Sequence, residues 1–196
     1  LIWWTGSLMN IAEVFQEERY LQREMDVRVE ILDLNYEGGD HRELERTIDA
    51  LGPFQLIGLS TYSSFDYKRC MTLARFLKDR WPETPLVTGG YHASAMPGDL
   101  LFDGSPIDAV VKGEGELPFA RIVAQALGGG GVERRIWPIE LVPQLDSLPE
   151  SDWSLLDRYW PRAKDIGRKF QIYLSRGCAY HCTFCMERAK SGYKWR

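Results

Sequence analysis

The sequence has few cysteines and histidines, no excess of positive charge and no long apolar run. Its 196 residues include four cysteines and three histidines, and its formal net charge is −4. A negative chain lacks the basic surface that nucleic acid requires, and no apolar run approaches the roughly 18 residues needed to span a bilayer. We therefore expect neither a nucleic-acid partner nor a membrane partner.

The cysteines are too few and too unevenly spaced for a disulfide framework. Cys178, Cys182 and Cys185 lie within eight positions of each other, whereas Cys70 lies far upstream. Thiols grouped in this way fit a reducing compartment better than an oxidising one. The sequence therefore predicts a cytoplasmic protein.

Short strand patterns alternate with helical patterns over the first 127 residues, which is the order of a parallel α/β sheet. We expect residues 1–130 to form a doubly wound, five-stranded, Rossmann-like domain. The β-rich runs that predict its strands are 1–4, 27–34, 54–60, 85–88 and 107–112.

Two helices have clear signals in the sequence. Apolar residues follow helical spacing from Cys70 to Trp81, which predicts a helix with one buried face and makes Cys70 a core residue rather than a ligand. A second helix is predicted over residues 116–127, because Pro118 stands in its first turn and Gly128 follows its end.

Residues 131–169 show little periodicity and are rich in proline, tryptophan and aspartate, which predicts an interdomain linker. We interpret its three tryptophans as residues that pin the linker to a domain. A further strand is predicted at 171–175, but only about 26 residues remain from there, far fewer than a complete α/β barrel contains. We therefore expect residues 170–196 to begin a second domain, and the 196-residue chain alone to be catalytically silent.

The spacing of the three clustered cysteines favours iron over zinc. They follow a predicted strand at its carboxyl end, where parallel α/β folds place their chemistry. Three thiolates on one short loop suit a four-iron four-sulfur cluster with one iron left open. The alternative is a structural zinc site with His181 as its fourth ligand, but the adjacent His181 and Cys182 converge poorly on one tetrahedral ion.

The segment CAYHCTFC at 178–185 resembles the Cys-x3-Cys-x2-Cys signature of radical S-adenosylmethionine enzymes. The resemblance implies that Cys178, Cys182 and Cys185 ligate a 4Fe-4S cluster, and that Phe184 lies beside the adenine of bound S-adenosylmethionine. It also implies an external electron donor such as flavodoxin or ferredoxin. Methylthiotransferases share the signature, but their N-terminal domains hold three further cysteines. This sequence has only Cys70 before the signature, so the methylthiotransferase assignment is rejected.

Three predicted strands end in small, polar, glycine-rich loops: STYSS, TGGYHAS and KGEGE. Glycines let a backbone approach a large flat ligand, and hydroxyls can bind its amide edges. The pattern resembles the cobalamin-binding domain that precedes the radical domain in cobalamin-dependent radical S-adenosylmethionine enzymes. The cofactor-binding residues that it implies are Thr5, Gly6, Ser60, Thr61, Tyr62, Ser63, Ser64, Gly89, Gly90, Tyr91, His92, Gly113, Glu114, Gly115 and Glu116.

The loop after the first predicted strand, WWTGSLMN, contains no histidine to ligate cobalt. We therefore predict that cobalamin binds with its base displaced and with no imidazole on the metal. His92 is expected to hydrogen-bond a corrin amide or backbone. Trp3, Trp4 or Thr5 is expected to fill the space beneath the ring, with core packing as the alternative role of the two tryptophans.

Together the resemblances predict an enzyme that uses cobalamin, a 4Fe-4S cluster and S-adenosylmethionine. The expected reaction is radical methylation of an unactivated carbon in a small molecule or peptide, or else a radical rearrangement or cyclisation. No catalytic side chain is predicted. The alternative is a non-enzymatic corrinoid-binding module whose cysteine loop is a structural zinc site.

Overall fold

The computed structural model describes residues 2–4, 27–33, 41–149, 159, 174–192 and 194–196. The predictions for Thr5 and Gly6, for two linker tryptophans, for the side chains of Trp3 and Trp4, and for most of the strand at 171–175 fall outside the described residues. Within the described part of the chain, no helix is both long enough and apolar enough to cross a membrane.

Six parallel strands in the described residues form one sheet. They are β1 (Ile2–Trp4), β2 (Glu30–Leu32), β3 (Ile57–Ser60), β4 (Leu86–Gly89), β5 (Ala109–Val111) and β6 (Arg135–Trp137). Their order across the sheet is β2-β1-β3-β4-β5-β6. Because β2 and β3 flank β1 on opposite sides, the winding reverses there, and such sheets bind ligands at the carboxyl ends of their strands. The predicted doubly wound α/β class is confirmed.

The sheet has one strand more than the five predicted, because β6 lies in the expected linker. It pairs with β5, placing Val111 opposite Trp137. Arg135 and Ile136 are exposed and only Trp137 is buried, so the sequence lacks the apolar run that marks a central strand. Trp137 packs in the core with Phe119, which confirms that it pins this segment to the domain.

Five helices are described. They are α1 (His41–Leu51), α2 (Tyr67–Arg80), α3 (Tyr91–Ala95), α4 (Glu116–Leu127) and α5 (Glu187–Ser191), with short 3₁₀ turns at Pro97–Asp99 and Leu145–Ser147. The bounds predicted for α4 are confirmed. Gly128 follows the helix, and its N–H donates to the carbonyl of Ala124 at 2.9 Å.

Apolar side chains cover both faces of the sheet, because successive strand residues point to opposite sides. Leu86 belongs to the cluster that packs against α2, and the next residue, Val87, belongs to the cluster that packs against α4. Cys70 is fully buried in the α2 cluster, as predicted. The two helical layers therefore leave the ends of the strands as the place for a ligand.

Tyr159 ties the connecting segment to the edge strand β2. Its hydroxyl accepts a hydrogen bond from the N–H of Asp33 at 2.9 Å and donates to the carbonyl of Ile31 at 3.3 Å. Edge strands leave backbone groups without a neighbouring strand. The chain thus passes from β6 at one edge of the sheet to β2 at the other before it reaches the cysteines.

Candidate functional site

The loops after β3, β4 and β5 meet at the carboxyl edge of the sheet. Residues 60–64, 89–92 and 113–116 are called the strand-end loops below. The N–H of Thr61 donates to the carbonyl of Gly89 at 2.8 Å, and the N–H of Gly113 donates to the hydroxyl of Ser94 at 2.9 Å. These bonds hold the first loop against the second, and the third loop against the helical turn that follows the second, as their place in a parallel sheet predicted.

Gly90 allows the closest approach between two of these loops. Its φ is +109°, and a Cβ at this position would lie 2.7 Å from the carbonyl oxygen of Thr61. Residues other than glycine disfavour this backbone region. The second glycine of the TGGYHAS loop is therefore explained by packing between the strand-end loops.

The hydroxyls of the first loop do not all face a ligand crevice. Thr61 is fully buried, and its hydroxyl donates to the Cys70 sulfur at 3.0 Å and lies 2.8 Å from the Thr88 hydroxyl. Burial also raises the pKa of the Cys70 thiol. Ser63 is half-buried and Ser64 is exposed, so their positions suit contact with a bound ligand better.

His92 is packed inside the domain, with 4% of its surface exposed. Its Nδ1 lies 3.0 Å from the hydroxyl of Ser64, and its Nε2 faces the Asp99 carboxylate at 3.5 Å. Both ring nitrogens thus face protein side chains, an arrangement that disfavours cobalt ligation. The predicted hydrogen bond from His92 to a corrin amide or to backbone stays a prediction.

Residues 174–192 and 194–196, called the cysteine segment below, form a loop whose two ends pair with each other. Arg176 and Arg196 exchange two backbone hydrogen bonds of 3.0 and 2.9 Å. Gly177 lies opposite Trp195 in an isolated antiparallel bridge. Leu174 and Ser175, the described residues of the strand predicted at 171–175, are not in a strand.

The three clustered cysteines lie on this loop as free thiols. Cys182 is exposed, Cys178 and Cys185 are half-buried, and 89% of Phe184 is accessible. Within the described ranges, no group of three or more His, Cys, Asp or Glu side chains is close enough to hold a single metal ion. A 4Fe-4S cluster instead takes each thiolate on a different iron, so three accessible thiols on one loop fit it.

Buried ion pairs join the cysteine segment to the third strand-end loop. We call Glu114, Glu116, Arg176 and Arg196 the carboxylate–guanidinium cluster. Arg176 lies 2.7 Å from Glu116 and 3.6 Å from Glu114, and Arg196 contacts both carboxylate oxygens of Glu114. The glutamate side chains are only 3% and 2% exposed. Buried carboxylates of this kind require such partners.

A second contact joins the cysteine segment to the second strand-end loop. The Tyr91 hydroxyl donates to Glu187 at 2.6 Å, and the Lys190 ammonium lies 4.7 Å from the centre of the Tyr91 ring. Tyr62 packs edge-on against Tyr91 with ring centroids 5.3 Å apart. Helix α5 is therefore seated on these loops directly after the last cysteine.

Sequence reasoning placed Tyr91, Glu114 and Glu116 in a corrin site, but in the structure their side chains contact the cysteine segment. It missed Arg176 and Arg196 altogether. Two glutamates in a glycine-rich loop beside an apolar helix are a signal for a buried cationic partner. The sequence does not indicate which of its 24 Lys and Arg residues is that partner.

A family model identifies the first domain. Residues 5–123 match the family described as the B12 binding domain. The chain belongs to the B12-binding domain family. The match confirms cobalamin as the cofactor predicted for the sheet and its strand-end loops.

Curated relatives of the chain include methyltransferases, one of which is named for cobalamin and radical SAM chemistry. The chain is 30% identical over 185 residues to an uncharacterized methyltransferase, PH0819, of Pyrococcus horikoshii, covering 86% of this chain and 39% of that protein. It is 25% identical to the cobalamin-dependent radical SAM methyltransferase TokK of Streptomyces tokunonensis, covering 72% of this chain and 23% of that protein. Relatives of the chain thus include a member of the predicted class, and the chain spans less than two fifths of the length of these relatives.

The fold is also shared with a solved structure of the radical S-adenosylmethionine methyltransferase TsrM from Kitasatospora setae. That structure contains tryptophan substrate and a SAM analog, and it superposes with a TM-score of 0.68 at 16% identity. The match covers 99% of this chain and 42% of TsrM. A second TsrM structure, with cobalamin and a 4Fe-4S cluster bound, gives a TM-score of 0.62.

Proposed function

We propose that the chain carries the cobalamin-binding domain and the cluster loop of a radical S-adenosylmethionine methyltransferase that acts on an unactivated carbon. The observation that supports this most directly is the docking of the cysteine segment on the carboxyl edge of a B12-binding sheet. That edge is where a doubly wound sheet binds its ligand. Residues 131–169, whose first part forms β6 of the sheet, then connect the two parts, and residues 170–196 begin the radical domain.

The residues of the chain have separate roles in this proposal. When bound, the cluster and S-adenosylmethionine supply a 5′-deoxyadenosyl radical, and cobalamin supplies a methyl group. Cys178, Cys182 and Cys185 hold the cluster on an accessible loop, and the exposed ring of Phe184 offers a face for the adenine. The protein orients both cofactors and excludes water, while the cofactors carry the chemistry.

The corrin is proposed to lie over the first two strand-end loops. Ser60 and the backbone of Thr61 lie at the end of β3, and Gly89 follows on β4. The more accessible hydroxyls of Ser63 and Ser64, which pair with Asp66 and His92 in the structure, are the proposed partners of its amide side chains. Thr5 and Gly6 belong to the same proposal by their position after β1, next to the point where the winding reverses.

The proposed substrate is a small molecule or a peptide. Relatives include the hopanoid C-3 methylase of Methylococcus capsulatus, which is 28% identical over 193 residues, and a carbapenam carboxylate methyltransferase, which is 27% identical over 147 residues. We propose an external donor such as flavodoxin or ferredoxin, for which the exposed Cys182 side of the loop leaves access. Four free thiols suit a reducing, cytoplasmic location.

Anaerobic reconstitution tests the proposal. The chain is incubated with iron, sulfide and hydroxocobalamin and desalted, and its metal content and absorbance are measured. We expect about four irons per chain and an absorbance band from thiolate-to-iron charge transfer. We also expect the absorbance spectrum of the corrin to change on binding. Addition of S-adenosylmethionine should shift the electron paramagnetic resonance signal of the reduced cluster, since it binds the open iron.

Cysteine-to-serine variants distinguish the three clustered cysteines from Cys70. A variant with Ser at Cys178, Cys182 and Cys185 should lose iron and keep cobalamin, whereas Cys70→Ser should keep both. A wild-type loop that takes up zinc and no iron would instead support the corrinoid-binding module with a structural zinc site.

A further inference from the structure

We infer that Glu114 and Glu116 are positioning residues for the cysteine loop and do not bind the corrin. With Arg176 and Arg196 they clamp the loop to the B12-binding sheet and so fix the distance between cluster and cobalt. The inference rests on the proposed function for the identity of the two cofactors. The contacts of the carboxylate–guanidinium cluster, called the clamp below, lie within the chain and do not depend on the identity of the cofactors.

The acceptor capacity of Glu114 is taken up by protein donors. One oxygen accepts from the backbone N–H of Val142 at 2.8 Å and from Arg196 at 3.4 Å. The other contacts both Arg196 and Arg176. Arg196 also donates to the Val142 carbonyl at 2.6 Å. Both oxygens of Glu114 therefore face protein donors rather than an open ligand site in the part of the chain that the structure describes.

Glu116 is buried as well but is paired through one oxygen. That oxygen accepts from Arg176 at 2.7 Å, and the other is buried with no hydrogen-bond partner among the described residues. The arrangement is electrically balanced, with two carboxylates facing two guanidinium groups. Undocking of the cysteine segment would separate both carboxylates from their cations and break these ion pairs.

The clamp acts on both stems of the cysteine loop. Arg176 stands two residues before Cys178, and helix α5 begins two residues after Cys185. The helix is held by the bond between Tyr91 and Glu187 and by close packing at Gly113, where a Cβ would lie 2.8 Å from the Lys190 carbonyl. With both stems fixed to the sheet, the position of the three thiols relative to the strand ends is fixed as well.

Hydrogen–deuterium exchange of the 196-residue chain without cofactors tests the clamp. We expect Arg176→Met to raise exchange in peptides covering 174–196 by about tenfold or more and to leave peptides from β3 to β5 unchanged. Arg176→Lys should give an intermediate rise, because one ammonium does not bridge two carboxylates as a guanidinium fork does.

Arg80→Met is the matched control. Arg80 forms a two-bond fork with Asp49, both at 2.9 Å, but the pair is about half exposed and joins α1 to α2. Its loss should leave exchange in the cysteine segment unchanged. A variant that neutralises the whole cluster, with Gln at both glutamates and Met at both arginines, leaves no buried charge unpaired and keeps the fold. It should still raise exchange in 174–196.

Two results would overturn the inference. One is unchanged exchange in 174–196 for both Arg176→Met and the neutralised variant. The other is a fall of more than about tenfold in cobalamin affinity for Glu116→Gln with no change in exchange, which would place the carboxylate on the corrin. We expect the affinity of Glu116→Gln for cobalamin to stay within about twofold of wild type. Failure of cofactor uptake by wild type would refute the proposed function and leave the exchange result intact.

A spectroscopic measurement distinguishes positioning from simple stabilisation. In chain loaded with cobalamin and cluster, pulsed dipolar electron paramagnetic resonance reports the distance between cobalt(II) and the reduced cluster. We expect the distance distribution to widen in Arg176→Met while both metal signals keep their intensity. An unchanged distribution in that variant would contradict a positioning role.

Discussion

Gly113, which the sequence analysis assigns to cofactor binding, packs closely against Lys190 in the structure. Its φ is +77°, and a Cβ there would lie 2.8 Å from the carbonyl of Lys190 and 2.9 Å from the side chain of Ile139. Gly104 has nearly the same φ, +78°, with no atom within 4 Å of a Cβ. The two glycines therefore share a backbone conformation and differ in contacts.

This pair separates backbone strain from docking. Both Gly113→Ala and Gly104→Ala should lose about 1–2 kcal/mol of stability from the left-handed conformation. Gly113→Ala should lose more, because its new methyl group meets a backbone carbonyl that has little room to move. Urea unfolding followed by circular dichroism measures the difference, and equal losses would show that the Lys190 contact is unimportant.

Cys70 should differ sharply from the three loop thiols in reactivity. It is fully buried, and burial raises the pKa of its thiol, so little thiolate is present or accessible near neutral pH. A thiol reagent added to the native chain without metal should modify three cysteines rapidly and the fourth only on unfolding. Rapid modification of Cys70 in a variant with Ser at the three loop positions would contradict the described core.

The raised pKa of Cys70 also makes the stability of the fold depend on pH. The folded state favours the neutral thiol, so the stability that this preference contributes is fully present below the ordinary thiol pKa of about 8.5. It is lost as the pH rises through the higher pKa of the folded state.

At the scale of elements, periodic apolar patterns and helix-end residues were informative. The bounds of α4 followed from Pro118 and Gly128, and the buried face of α2 followed from the spacing that begins at Cys70. The strand β6 could not be predicted in this way. It has three residues, two of them exposed, so its pairing depends on an open edge of β5 that the sequence does not display.

Trp137 should hold β6 in place. It is 7% exposed and packs with the α4 cluster, and the Arg135 guanidinium lies 4.5 Å from its ring centre. Trp137→Ala should cost about 3 kcal/mol of unfolding free energy, the lower end for a buried tryptophan. Trp195→Ala removes the same side chain from a site that is 68% exposed and should cost about 0.5 kcal/mol or less. Similar losses in urea unfolding would mean that β6 is not part of the folded sheet.

At the scale of the whole molecule, the two motifs were predictable and their contact was not. The cysteine spacing and the three glycine-rich loops are local patterns, whereas Glu116 and Arg176 are 60 positions apart and carry no local signal of their pairing. The structure thus adds the relation between the sites, which is what a reaction between two cofactors requires.

The central claim is that one chain holds cobalt and an iron–sulfur cluster close together in a fixed arrangement. The most direct measurement is pulsed dipolar electron paramagnetic resonance on wild-type chain reconstituted with iron and sulfide and loaded with cobalamin. We predict a resolved coupling between cobalt(II) and the reduced cluster with one narrow distance distribution, which is absent when Cys178, Cys182 and Cys185 are replaced by serine. Cobalt and cluster signals that are both present at full intensity but uncoupled would contradict the account.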